Sequence, residues 1–140
     1  MKEVKIKLVP GGKMPEYKTA GAACADCYAR VQTIIPAGER RLVPLGVCLE
    51  LPEGYEAVVR PRSGMSKNGV DVAIGTVDCD FRSEIMANVI NNMKEGLVVE
   101  EGTRVCQLKI QKAEQFNFVK VDELSETERG NGGFGSTGVK

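Results

Sequence analysis

Val70-Asp71-Val72-Ala73-Ile74-Gly75-Thr76-Val77-Asp78-Cys79-Asp80-Phe81-Arg82-Ser83-Glu84-Ile85-Met86-Ala87-Asn88-Val89-Ile90 is the stretch that decides the fold class. Its two ends, Val70–Ile74 and Ile85–Ile90, are β-rich runs and read as strands. Between them, Gly75–Glu84 holds Asp78, Asp80, Glu84 and the Phe81 ring in a segment that reads as a β-hairpin. Alternation in an extended chain predicts Asp78 and Asp80 on one face. Neighbouring carboxylates repel, so they are tolerated where one is paired with a cation, where one acts as a base, or on a solvated hairpin tip.

Outward from this stretch the same pattern recurs. Val4–Leu8 alternates with period two, and short β-rich runs follow at Gln32–Ile35, Arg41–Leu51, Tyr55–Arg60, Leu97–Val99, Arg104–Ile110 and Phe116–Val121. Turn signals separate them: Pro10-Gly11-Gly12, Pro36-Ala37-Gly38-Glu39, Pro52-Glu53-Gly54, Lys94-Glu95-Gly96 and Glu100-Glu101-Gly102. Many short strands at this spacing predict an all-β barrel or sandwich. Only Ser63–Asn68 and Glu123–Glu128 could supply a helical turn or two.

At 140 residues the chain suits one domain. Lys+Arg and Asp+Glu balance at 19 each, which argues against duplex nucleic acid or an anionic membrane as a partner. The N-terminus has no apolar signal core and no run approaches spanning length, so a cytoplasmic location is expected. Five cysteines, an odd number, suit a reducing compartment better than a disulfide framework. Cys24 and Cys27 lie three apart, and on a strand they would face opposite sides, which favours a structural role over a metal site. There is no histidine, so Ser-His and Cys-His nucleophiles are excluded and carboxylates must do any acid-base or metal work. Tryptophan is absent and aromatics are few, which predicts an aliphatic core completed by oligomerisation.

Three further segments carry candidate chemistry. Pro61-Arg62-Ser63-Gly64-Met65-Ser66 places an arginine, hydroxyls and a permissive backbone where a helix should start, which suits either a phosphate or a capped corner. Gly102-Thr103-Arg104-Val105-Cys106-Gln107-Leu108 puts a polar Gln107 into an apolar strand. The glycine-rich end, Arg129-Gly130-Asn131-Gly132-Gly133-Phe134-Gly135-Ser136-Thr137-Gly138, cannot hold secondary structure by itself, yet it carries a cation, a ring and two hydroxyls. Those are groups for clasping something flat at one end and anionic at the other, such as a nucleotide.

In this order, and joined by Ala25-Asp26-Cys27-Tyr28-Ala29, these segments resemble the five motifs of the homotrimeric dUTPase family over nearly the whole chain. The resemblance implies a distorted jelly-roll or β-clip barrel of the trimeric dUTPase type over residues 1–128. A flexible Gly-rich C-terminal arm over 129–140, part of the same domain, would order as a lid over bound dUTP on another subunit's site. It implies hydrolysis of dUTP to dUMP and pyrophosphate with Mg2+, in active sites shared between the subunits of a homotrimer, which lowers dUTP and supplies dUMP for thymidylate synthesis. Asp78 matches the carboxylate that holds the attacking water, and is the catalytic candidate. Thr76, Val77 and Met86 match the uracil pocket, and Phe81 matches a position usually occupied by tyrosine, whose ring lies against the deoxyribose. Arg62, Ser63, Gly64 and Gln107 match phosphate contacts. Asp26 matches a carboxylate that meets Mg2+ through water, and Arg129, Phe134, Ser136 and Thr137 match the arm, its ring stacking on the base.

Phe81, Ser83, Thr103 and Ala25-Asp26-Cys27 depart from the usual pattern without removing a proposed catalytic group. Two alternatives share the fold. The dCTP deaminases carry a catalytic glutamate where this chain has Asn88 and a second serine where it has Gly64, and a regulatory or nucleotide-sensing relative could bind without turnover.

Overall fold

Backbone pairing turns the alternating runs into strands wherever the chain brings up a partner. In the computed structural model, which describes residues 2–138, β1 (Lys5–Leu8) pairs with β5 (Val47–Glu50) and β3 (Thr33–Ile35) with β10 (Leu97–Val99). A three-stranded sheet runs in the order β4 (Arg40–Pro44), β9 (Met86–Asn91), β7 (Val70–Val72). A four-stranded sheet runs β2 (Ala25–Tyr28), β11 (Arg104–Lys112), β6 (Tyr55–Arg60), β8 (Gly75–Val77). Every pairing is antiparallel, and none joins two strands consecutive in sequence. The chain therefore wraps in jelly-roll fashion, all-β apart from the short helix α1 (Ser63–Lys67) among the described residues.

The expected hairpin over Gly75–Glu84 is not one. β8 pairs with β6 while β9 pairs with β4 and β7, so the segment between them crosses from one sheet to another. Asp78 and Asp80 lie beyond the end of β8, at a turn closed by the Phe81 amide donating to the Asp78 carbonyl at 3.1 Å, and strand alternation does not govern them. Arg41–Leu51 splits at Leu45-Gly46 because Gly46 takes φ +75, a conformation no strand continues through. Phe116–Val121 forms no strand: β11 has its last pair at Lys112 opposite Tyr55, and the residues after it meet no partner strand. Glu123–Glu128 is not helical either. The strand Ala25–Tyr28 has no clean signature in the sequence because two polar or thiol side chains interrupt its pattern; pairing with β11 and a bridge to Glu16 create it.

The core is aliphatic, as composition predicts. Ile35, Val43, Leu45, Val47, Val89, Val99 and Val105 are each no more than 2 % exposed, and no aromatic ring joins that cluster among the described residues. Each such side chain contributes about 1.5–3 kcal/mol by leaving water. Cys27 and Cys106, opposite one another on β2 and β11, are part of this core. The Cys27 thiol, together with burial, pushes the Cys106 thiol far above its ordinary range, so it stays protonated and inert. Asn91 is a polar residue within the core: its amide donates to the carbonyls of Ile35 (3.1 Å) and Glu95 (2.8 Å), and its oxygen accepts from the Met93 amide.

Candidate active site

Strand β8 forms one edge of the four-stranded sheet, so the outer row of its backbone N–H and C=O groups has no strand partner. Beside it opens a pocket of about 240 Å³ lined by Thr76, Val77, Phe81 and Met86, with Val59 and Ile85 on its floor. The four residues expected to meet base and sugar are thus brought together from two different sheets and the crossing between them. Backbone groups at such an edge can read the donors and acceptors of a flat heterocycle while apolar side chains bracket its faces. Phe81 is 41 % exposed, an unfavourable water contact for a ring unless something covers it.

The residue after Val77 is Asp78, which is exposed and faces a second, larger groove of about 900 Å³ together with Asp80, Glu53, Glu56 and Glu114. The turn that presents it is pinned by Arg82, whose guanidinium donates to the Cys79 carbonyl at 2.7 Å. Asp78 therefore lines this groove and not the pocket beside β8, although Val77, its neighbour in sequence, lines that pocket.

The pocket's far wall is anchored by Glu84, which the sequence shows as one of three carboxylates in its segment but with no role of its own. Its carboxylate accepts from Arg30 Nε at 2.8 Å, from Arg30 Nη2 at 3.1 Å and from the Gly46 amide at 2.8 Å. The Arg30 guanidinium holds Glu84 below the usual carboxylate range, partly opposed by burial. Gly46 is there because nothing else fits: a Cβ on it would meet the Gly12 Cα at 2.5 Å, and one on Gly12 would meet the Gly46 carbonyl oxygen at 2.2 Å.

A cationic corner sits at the other edge of the same sheet. Asp26 on β2 is 5 % exposed and lies 3.4 Å from Arg104 Nη1 and 3.8 Å from Arg62 Nε. Arg62 also donates from Nη1 to the Arg104 carbonyl at 2.9 Å. Gln107 on β11 is opposite Asp26 on one side and Arg60 on the other. Ser63 and Gly64 begin α1, whose N-cap residue Arg62 makes no side-chain cap hydrogen bond. This groups Asp26, Arg62, Ser63, Gly64 and Gln107 as expected, and adds Arg104 and Arg60. Arg104 was visible in its motif, but only pairing across β2 reveals its carboxylate partner. Counted as three inter-strand spacings, the β2 and β8 axes are about 14 Å apart.

Asp26 is a single hard oxygen donor, and among the described residues no group of three or more potential ligands could hold a metal. One carboxylate beside two guanidiniums suits a hydrated Mg2+ delivered on a polyphosphate, rather than a cage built by the protein.

Among the described residues the arm's side-chain hydrogen bonds run within itself, apart from the Gly130 amide donating to the Thr127 hydroxyl at 3.3 Å. Arg129 donates from Nε to the Ser136 hydroxyl at 3.2 Å and from Nη2 to the Gly133 carbonyl at 2.9 Å. Phe134 is fully exposed, and Thr137 is exposed as well. No helix among the described residues is long and apolar enough to cross a membrane.

Comparison with known proteins gives one family by sequence, and solved structures share the fold. A family model described as dUTPase matches residues 11–138. The deoxyuridine 5'-triphosphate nucleotidohydrolase of Rickettsia bellii is 45 % identical over 144 residues, covering 98 % of this chain and 96 % of its own. The Staphylococcus bacteriophage 80alpha dUTPase, solved as a point mutant with dUpNHpp, superposes with a TM-score of 0.93 at 22 % identity, covering 99 % of this chain and 100 % of that one. A mutant dUTPase from phage phi11 of S. aureus, solved to show coordination of a structural Mg(II) ion, superposes with a TM-score of 0.84 at 18 % identity, covering 89 % of this chain and 100 % of that one.

Proposed function

Because this chain belongs to the dUTPase family, it is read as a dUTP diphosphatase, and we propose how its residues carry out the hydrolysis of dUTP to dUMP and pyrophosphate. The observation that carries the reading is the joint lining of one pocket by Thr76, Val77, Phe81 and Met86, while Asp78, the residue after Val77, lines the neighbouring groove.

Uracil lies along the outer edge of β8, read by backbone groups, and the deoxyribose lies against Phe81. A 2′-hydroxyl would collide with that ring, so the missing phenolic oxygen leaves steric rejection of ribonucleotides in place. Asp78 accepts the proton of the water that attacks the α-phosphorus, and the bond to the departing pyrophosphate breaks as the new P–O bond forms. Such a reaction needs a placed water and compensation of negative charge more than covalent catalysis. Arg62, Ser63, Gly64 and Gln107 meet the phosphates, with Arg104 as a further cation. Asp26 would hold a nucleotide-borne Mg2+ through water, and the ion would supply charge neutralisation on the triphosphate. The arm, residues 129–140, closes over the nucleotide as part of the same domain, with Phe134 on the base and Arg129, Ser136 and Thr137 on the terminal phosphates. Residues 139 and 140 lie outside the described residues.

The cationic corner and the base pocket occupy opposite edges of one sheet, which supports active sites composed between the subunits of a homotrimer. Ile34, Leu42, Ile74, Phe116, Phe118 and Leu124 are 63 % or more exposed and provide apolar area for that association. Thiols at all five cysteines suit the cytoplasm, where removal of dUTP also supplies dUMP.

A pyrophosphate-release assay across dUTP, dTTP, dCTP and UTP, with and without Mg2+, tests the reading. Selective, Mg2+-dependent turnover of dUTP is expected. Ammonia release from dCTP, or binding of dUTP without turnover, would overturn it.

A further inference from the structure

We propose that Glu84 is a positioning residue for base recognition, acting through its contacts with Arg30 and the Gly46 amide to hold the Phe81–Met86 wall at a fixed distance from β8. The inference rests on the reading of this pocket as the uracil site.

The wall needs an anchor from outside. Between the turn at Asp78–Phe81 and the start of β9 at Met86 the chain crosses between sheets, and residues 82–85 belong to no strand. Arg82 reaches Leu49 and Glu50 on β5, and the ties of Glu84 and Ile85 run to the β4–β5 connection and the first residue of β5. The Leu45 amide donates to the Ile85 carbonyl at 3.0 Å, the Ile85 amide donates to the Val47 carbonyl at 2.9 Å, and Glu84 takes the Gly46 amide. Arg30 completes the brace, since its own amide donates to the Pro44 carbonyl at 2.8 Å while its guanidinium grips Glu84 through two nitrogens. A bidentate arginine–carboxylate contact fixes orientation as well as distance.

The brace is also shielded. The Arg30 and Glu84 side chains retain 26 % and 16 % of their exposure, so water competes poorly for these contacts. Gly12 and Gly46 touch backbone to backbone beside Arg30, leaving no slack on the anchoring side. Yet Glu84 itself lines the pocket between Phe81 and Met86. A small outward shift of this wall would enlarge a pocket of about 240 Å³ enough to matter for one methyl group, the difference between uracil and thymine. Asp78 sits at the near end of this wall, in the turn closed by Phe81 and Arg82, and Arg82 is tied to β5 outside the Glu84 brace, through the Leu49 carbonyl at 3.5 Å and Glu50 at 3.9 Å, so loosening the brace should act on base binding before it acts on the proton-accepting carboxylate.

The test uses the full-length enzyme and three variants, Glu84→Ala, Glu84→Gln and Arg30→Lys, with KM and kcat measured for dUTP and dTTP and thermal unfolding followed in parallel. Loss of a shielded charge-assisted contact predicts that Glu84→Ala raises KM for dUTP by roughly tenfold or more, with a much smaller change in kcat. The preference for dUTP over dTTP should narrow by a similar factor. Glu84→Gln keeps an acceptor for the Gly46 amide and should recover part of that loss, and Arg30→Lys, which keeps the charge but not the fork, should fall between them. If Glu84→Ala does not fold, the other two carry the same comparison. Lowered unfolding temperature with unchanged KM and unchanged dUTP preference would overturn the proposal, as would an equal fall in kcat for both nucleotides. Failure of the wild-type protein to hydrolyse dUTP would instead remove the uracil-site reading itself, and this inference with it.

Discussion

Arg104 on β11 lies 3.4 Å from the carboxylate of Asp26 on β2, so a guanidinium that is 44 % exposed partners a carboxylate that is 8 % exposed. The contact orients Asp26 and leaves part of the cation facing outward. In the proposed mechanism both residues face the triphosphate. Arg104→Ala is expected to raise KM for dUTP several-fold while costing only about 1 kcal/mol of stability, because the cation is nearly half in water. Steady-state kinetics beside a denaturant titration check both halves, and a large stability loss with unchanged KM would assign Arg104 to structure alone.

Asp78 lies on an exposed turn, so replacing it should leave the fold intact. Asp78→Asn is predicted to bind dUTP and to lose pyrophosphate release by a factor of about 10² or more, the range of a lost general base. Calorimetric binding together with a turnover assay checks this, and unchanged turnover would remove Asp78 from the mechanism.

Among the described residues the arm's hydrogen bonds run within itself, through Arg129, Ser136 and Gly133, and to the adjoining Thr127, with none to the barrel. A chain ending at Glu128 should therefore unfold at nearly the same temperature and keep its assembly, yet lose most turnover. Near-normal activity from the truncated chain would make the arm dispensable.

Acid should loosen the base pocket. Glu84 has its folded pKa lowered, first by Arg30, so its contribution to stability is fully present above its unfolded value near 4.5 and is lost as pH falls through the lower folded value. Unfolding temperature should drop below about pH 4.5 more steeply in the wild type than in Glu84→Gln, whose amide does not titrate there. Parallel slopes for the two proteins would contradict the assignment.

The strands are legible in the sequence where hydrophobic alternation is clean. Tyr55–Arg60 and Leu97–Val99 appear in the structure with the boundaries the sequence suggests, and Val4–Leu8 is trimmed by one residue. Ala25–Tyr28 is not legible, because a strand carrying a buried aspartate depends on β11 and not on its own pattern. Phe116–Val121 fails in the opposite sense: its residues favour a strand, but no neighbouring strand is there to pair with it. The Gly75–Glu84 segment reads locally as a hairpin because turn residues lie between two apolar runs, and the runs then pair elsewhere.

What the sequence determined by itself was chemical: an all-β chain with an aliphatic core, no histidine, and five motifs that resemble those of the dUTPase family. The tertiary structure alone decided which of these residues meet. Arg30 and Glu84 are 54 positions apart, Asp26 and Arg104 are 78 apart, and no β pairing joins consecutive strands. Side-chain chemistry is a property of each residue, whereas proximity across such separations depends on how the whole backbone satisfies its hydrogen bonds, and that information is not local to any motif.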